Sequence, residues 1–351
     1  MVFSKKNKNN RMIDKEEIFV NESHWRGMNG SELDIFKQKI FDYYRSNGFP
    51  YYDTSDEYRN KELKKLKDYD FSNIIEGDII KQSMHGLGLA WSFFPQSFNV
   101  QCGNKLTPIQ AFCDDKIFMK IIEKRLKIGT YVSDSGIRKM IKMYSGVQGV
   151  SNFRPTAAAA IYKKFASGGV VWDMSGGWGG RLLGAMIGGV KKYIATEPAY
   201  GTFLGLLLMA ETLSEPDFLY SLIHSGSEDY TPEPESLDLC FTSPPYFDLE
   251  KYDTDSMQSY VKYDNKREWV DGFLSETFKN CYIGLKPDKY MLINIADPKG
   301  KENICLEEET KNAAIKIGFK YEGYLKLLLS NPISKNRQGA YKYEPVFIFR
   351  K

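Results

Sequence analysis

The chain predicts an α/β fold: a doubly wound, mostly parallel seven-stranded sheet over residues 146–351, preceded by a mainly helical region. Three observations carry this. Short apolar runs that stop at turn residues recur at 170–172, 193–195, 219–223, 237–241, 290–295, 321–329 and 345–349. Stretches with helical spacing fill four of the five gaps between the first six, at 182–187, 203–213, from Trp269 to Leu285, and at 306–317. A glycine-rich turn follows the first run, and an acid closes the second. Strand and helix in alternation build a parallel sheet covered on both faces, and two closely spaced final strands predict an antiparallel hairpin at its edge.

Composition narrows the function classes. The 351 residues are 42% hydrophobic and 14% aromatic, enough for a packed core, and no apolar run reaches the length of a membrane span. Residues 1–14 are Lys/Asn-rich and predict a basic, disordered tail without the apolar run of a signal peptide. Five cysteines, with no C-x-x-C pair and no histidine nearby, argue against zinc and against a disulfide framework. They are expected to fill the core in a reducing cytoplasm, and no metal is expected. The net charge of +3 divides unevenly: residues 1–150 hold 24 Lys+Arg against 19 Asp+Glu, or +5, and the remainder 24 against 26, or −2.

Along the chain, Leu33, Phe36, Ile40, Phe41 and Tyr44 predict an amphipathic helix ending near Gly48. The charged stretch 51–69 predicts a loop and an exposed helix. Residues 84–95 are apolar and aromatic, a core segment or a gating loop; the Gly-Leu-Gly there is not a phosphate loop. Thr107-Pro108 begins a helix expected to run to Gly129, and a second helix around 137–144 shows Arg138, Lys139 and Lys142. The composition shift at 145–149 places the boundary between a region 15–145, assigned to target recognition, and the domain 146–351.

The chemistry-bearing residues lie in that domain. Asp173-Met174-Ser175-Gly176-Gly177-Trp178-Gly179 turns from strand to helix, where glycines let the backbone approach a ligand and the helix N-terminus adds partial positive charge. Glu197-Pro198 ends the next strand, 197 − 173 = 24 residues on, where a ribose hydroxyl pair would be bound. No lysine of the triphosphate-binding type follows the glycines. A ligand with a ribose but no phosphates fits. The fourth strand stops in Thr242-Ser243-Pro244-Pro245-Tyr246-Phe247. Two prolines fix φ and donate no N–H, so the Ser243 hydroxyl and the Ser243 and Pro244 carbonyls form a rigid comb of acceptors beside an aromatic ring.

These residues resemble the S-adenosylmethionine-dependent amino-methyltransferases that modify adenine N6 or cytosine N4 in DNA. The resemblance covers roughly residues 150–350. Asp173, Ser175, Gly177, Trp178 and Gly179 correspond to its glycine motif, Glu197 to the second acid, and Ser243 to Tyr246 to the D/N/S-P-P-Y/F motif. Glu228 and Asp229 fall where the family contacts the cofactor's adenine, and Phe153, Arg154, Pro155 and Thr156 where it contacts the methionine end. Ser175 departs from the family's usual phenylalanine. The resemblance implies a Rossmann-like methyltransferase fold with S-adenosylmethionine as cofactor. It also implies direct in-line methyl transfer to a flipped base, with Ser243, Pro244 and Pro245 shaping the amine site and Tyr246 stacking. Phe247 would wall the pocket, and Lys335 and Arg337, in a loop interleaved with tyrosines, would meet the nucleic acid. DNA is favoured over RNA, adenine over cytosine, as in restriction-modification systems. An RNA base-amine enzyme and a catalytically silent nucleic-acid-binding subunit remain the alternatives.

Overall fold

The computed structural model describes residues 13–247, 250–251, 255–297, 305–329 and 342–351. Lys335 and Arg337 lie outside the described residues, as does the tail up to residue 12. The chain divides into two compact units, one of residues 1–51 with 104–149 and the other of 52–103 with 150–351. The single boundary expected near 145 is therefore one of three crossings between units.

The first unit is helical. Asn29 caps the helix Gly30–Asn47 through a reciprocal pair with Glu32, which satisfies two otherwise unpaired N–H groups. The helix expected from Pro108 to Gly129 is two: Pro108–Cys113, with Thr107 and Gln110 as a second reciprocal cap, and Asp115–Ile128. The break falls at Asp114, whose carboxylate takes the Ile117 N–H at 2.9 Å and so starts a new helix. Phe36, Ile40, Phe118, Ile122 and Ile137 meet in its core.

The second unit holds the sheet. Its strands are β1 (Ile75–Glu76), β2 (Ile79–Ile80), β3 (Gln101–Cys102), β4 (Val170–Asp173), β5 (Lys192–Thr196), β6 (Leu219–Ile223), β7 (Leu237–Thr242), β8 (Glu250–Lys251), β9 (Leu285–Asn294), β10 (Lys320–Leu328) and β11 (Tyr343–Arg350). Nine of them form one sheet in the order β1-β2-β10-β11-β9-β7-β4-β5-β6, while β3 and β8 pair separately. All seven expected strands are present in this one sheet, from β10 to β6. Its central strands run parallel, and β11 runs antiparallel between β9 and β10.

One expectation fails at the sheet's margin. The β10–β11 hairpin is not the edge, because β2 pairs in parallel with β10, Ile80 against Leu327. That pairing is why residues 52–103 belong to this unit, and Leu89, Phe93 and Phe94 join the core beneath the sheet. The apolar stretch is thus core over most of 86–94, with a short helix over Leu87–Trp91, while Met84, His85 and Pro95 are exposed. Cys102, Cys240 and Cys281 are buried as expected, but Cys113 and Cys305 are exposed.

Two features position the site. Strand order reverses between β4 and β7, so their C-terminal ends open a crevice, the general ligand position in such sheets. Beside it the helices Pro155–Phe165 and Gly180–Ile187 pack closely: a Cβ added at Gly184 would lie 2.4 Å from that of Ala158. The small-residue run 157–160 makes that approach possible. Among the described residues no helix is long and apolar enough to cross a membrane.

Candidate active site

Asp173 ends β4 fully buried. Its Oδ2 accepts from Arg181 Nε at 2.8 Å and from the Tyr193 hydroxyl at 2.6 Å, and its Oδ1 accepts from Thr242 Oγ1 at 2.8 Å and the Ser175 N–H at 3.3 Å. Burial, then the Asp173 charge, raises the Tyr193 pKa well above its ordinary value. Burial opposes the Arg181 charge, but the carboxylate outweighs it and the guanidinium pKa is raised. Asp173 does not line the cavity; it ties β4 to β5, to β7 and to the helix after the glycine turn.

That turn is shaped by two left-handed glycines, Gly177 at φ 56° and Gly179 at φ 74°, a region where a Cβ is strained. The Gly177 N–H donates to Glu197 Oε2 at 2.8 Å, and the Ala199 N–H donates to Oε1 at 2.9 Å. Burial pushes the Glu197 carboxyl up to about 7 even though both N–H groups favour its charge. Each carboxylate oxygen keeps a lone pair beyond these bonds.

The residues 152–154 form the next wall. Asn152, at the head of the stretch that resembles the family's methionine-end contact, donates to the Trp178 carbonyl at 2.8 Å and accepts the Gly180 N–H at 3.2 Å, clamping the glycine turn. Phe153 and Arg154 line the cavity, with Arg154 Nε donating to Gln82 at 3.0 Å. Pro155 and Thr156 begin the helix behind them and do not line it; Thr156 is buried within hydrogen-bond distance of Ser83. Trp178 lines the cavity on rings from the 84–95 stretch, 5.6 Å from Phe94 and 6.0 Å from Trp91. It supplies an aromatic surface where Ser175 has none.

Glu228, in the turn Ser227–Asp229 after β6, pairs through Oε1 with Lys262 at 3.0 Å, while Oε2 is buried without a hydrogen-bond partner. Burial raises its pKa, against the pull of Lys262. Asp229 also holds Lys262, at 2.7 Å, but does not line the cavity.

Ser243, Pro244, Pro245 and Tyr246 line the same cavity from the end of β7. Phe247 does not. It takes a left-handed φ of 52° and sets its ring edge-on to Trp269 at 6.0 Å. That conformation is uncommon for a bulky residue and turns the chain two residues after the proline pair. Of the sequence-selected residues, Phe153, Arg154, Ser175, Gly177, Trp178, Glu197, Pro198, Glu228 and Ser243–Tyr246 therefore share one cavity of ≈ 260 Å³. That is the scale of a small-molecule site rather than of buried water. Residues 257–260 also line it and carry no motif that reveals them. Among the described residues no group of three or more His, Cys, Asp or Glu could hold a metal.

No curated protein matches the chain. Among solved structures, a S-adenosylmethionine-dependent methyltransferase from Mesorhizobium loti is similar at 12% identity over 55% of this chain and 98% of that one, TM-score 0.37. A methyltransferase from Pyrococcus furiosus shows 17% identity over 61% and 93%, TM-score 0.36. A phosphoethanolamine N-methyltransferase from Haemonchus contortus, solved with S-adenosylmethionine, shows 19% over 50% and 40%, TM-score 0.34. The family described as DNA methylase, of the N6/N4 methyltransferase type, matches residues 237–351. The match begins at β7 and takes in the Ser243–Tyr246 turn, about a third of the chain.

Proposed function

We propose that the protein transfers a methyl group from S-adenosylmethionine to an exocyclic base amine in nucleic acid, in DNA before RNA and at adenine N6 before cytosine N4. One observation carries this reading: the Ser243–Tyr246 acceptor turn and the Glu197-closed glycine turn open into one cavity at the point where strand order reverses.

The residues present fit the cofactor. Glu197 retains lone pairs for a ribose diol, Glu228 Oε2 is a buried acceptor without a partner that an adenine amine can satisfy, and Trp178 and Phe153 offer ring surface. When bound, S-adenosylmethionine supplies the electrophilic methyl carbon. The chain's own residues prepare the amine. The Ser243 hydroxyl and the Pro244 carbonyl accept its two N–H groups, which favours a pyramidal nitrogen with its lone pair free for in-line attack. Tyr246 stacks on a base withdrawn from its helix. Asp173 and Thr242 hold the two strand ends at fixed separation.

For the nucleic acid itself, we assign target recognition to the region 15–145. Lys116, Lys120, Lys124 and Lys127 are exposed along one helix, Asp115–Ile128, and the first three recur at the spacing of a single helix face. Tritiated-methyl transfer to DNA and to RNA, followed by mass spectrometry of the nucleoside digest, tests the reading. N6-methyladenine or N4-methylcytosine in DNA is the expected product. Cofactor binding with no label in either polymer would leave only the silent subunit.

A further inference from the structure

Gln258 is a polar side chain in this cavity that the reading above leaves without a task. It is 4% exposed, it lines the cavity that Ser243–Tyr246 also line, and its Nε2 is buried without a hydrogen-bond partner. A carboxamide nitrogen carries two donor hydrogens, and leaving them unpaired in a protein interior is costly. Natural structures rarely keep such a group unless a ligand or water completes it.

Its backbone is held from several sides. The Gln258 N–H donates to the Asp255 carbonyl at 3.0 Å, and the Gln258 carbonyl accepts from the Val261 and Lys262 N–H groups, each at 2.9 Å. Trp269 Nε1 donates to Ser259 Oγ at 3.1 Å, and Lys262 binds Glu228 and Asp229. A side chain mounted on so fixed a turn is pre-organised for one partner.

The chemistry of the two candidate bases says which partner. In adenine and in cytosine the carbon bearing the amine adjoins a ring nitrogen with a lone pair, N1 and N3 respectively. In the proposed pose the Ser243 hydroxyl and the Pro244 carbonyl both accept from the amine, and the ring nitrogen beside it calls for a donor of its own. A donor is missing, and Gln258 Nε2 is a donor without a partner. We infer that Gln258 determines base specificity by donating from Nε2 to the ring nitrogen beside the target amine. This rests on the proposed base-amine reaction. It deepens that reading by giving the site a complete donor–acceptor complement to the base's Watson–Crick edge, the edge that flipping exposes. Guanine, which presents an N1–H donor beside its amine there, would set two donors against each other.

The test uses the full-length protein and an oligonucleotide carrying its target base or the deaza analogue, 1-deazaadenine or 3-deazacytosine, whose ring carries C–H in place of that nitrogen. Wild-type kcat/KM is expected to fall about tenfold or more on the analogue. Gln258→Met, which keeps the length and removes the amide, should fall comparably on the natural base. It should no longer distinguish natural base from analogue, and its S-adenosylmethionine affinity by calorimetry should stay within about twofold of wild type. Wild type that methylates the analogue as fast as the natural base overturns the inference, whatever becomes of the variant's folding. So does a variant whose loss multiplies with that of the analogue, or one whose cofactor affinity drops tenfold, which would put the amide on the cofactor. Wild type that methylates no nucleic acid at all removes the proposed function, and the inference with it.

Discussion

The Gly177 N–H reaches across to Glu197 Oε2 at 2.8 Å, so the acid at the end of β5 also closes the glycine turn at the end of β4. One carboxylate thus shapes the loop and lines the cavity. Its protonation has two consequences of opposite sign. Burial raises its pKa from 4.5 to about 7, so the folded chain keeps a proton that the unfolded chain releases. Glu197 therefore favours folding most below about pH 4.5, and that contribution is lost as pH rises through 7.

Cofactor binding should move the other way, because ribose hydroxyls donate best to the ionised acid. Calorimetry near pH 6 and pH 8 should find S-adenosylmethionine bound more tightly at the higher pH. Glu197→Gln should bind more weakly and lose most of the pH dependence. A flat wild-type profile across that range would count against Glu197 as the ribose ligand.

Asp173→Ala should unfold the protein more readily rather than merely weaken a ligand. The carboxylate answers a buried guanidinium and three further donors, and removing one partner of a buried pair costs roughly 3–5 kcal/mol. Urea titration should show that loss, with Asp173→Asn losing less. A midpoint unchanged from wild type would show that the network contributes nothing to the fold.

The contrast between these two acids shows what the sequence could and could not display. Both close a strand before a turn, and nothing local says that Arg181 and Tyr193 enclose Asp173 while Glu197 faces a cavity. Alternating apolar runs were sufficient for the seven strands, and the Ser-Pro-Pro-Tyr turn marked itself because two prolines permit so few conformations. The pair Ile79–Ile80 could not be read as a strand, since two residues carry no periodicity and their partner lies in β10. Asp114 broke a helix whose apolar spacing continued straight through it. Gln258 sits in a polar stretch without pattern, and only its depth of burial makes it informative.

Gly180→Ala should weaken cofactor binding through the backbone. A Cβ there would lie 1.9 Å from the Phe153 carbonyl oxygen, so residues 152–154, which line the cavity, must shift. Over-packing of this kind costs about 1–3 kcal/mol, which melting would register. Affinity equal to wild type in a folded variant would take that segment out of the cofactor site.

Tyr246→Ala should lower methyl transfer far more than cofactor affinity, whereas Ser243→Ala should retain partial activity because the Pro244 carbonyl still accepts one N–H. Stacking of a base on an aromatic ring contributes roughly 1–3 kcal/mol in single-strand binders, so a loss of about tenfold or more is expected for Tyr246→Ala. Equal single-turnover rates for Tyr246→Ala and wild type on saturating nucleic acid would mean that the base is held elsewhere.

The parallel pairing of β2 with β10 sets a schedule for synthesis. Ile80 meets Leu327, which leaves the ribosome 327 − 80 = 247 residues later. At about 5–20 residues per second the wait is roughly 10–50 s. Throughout it, two isoleucines and the unpaired backbone beside them have no sheet to join. The first unit faces a shorter version of the same delay, since the chain leaves it at residue 51 and returns at 104. Neither unit can therefore finish folding in the order in which it is made, and the nascent chain depends on staying unaggregated until its far end arrives.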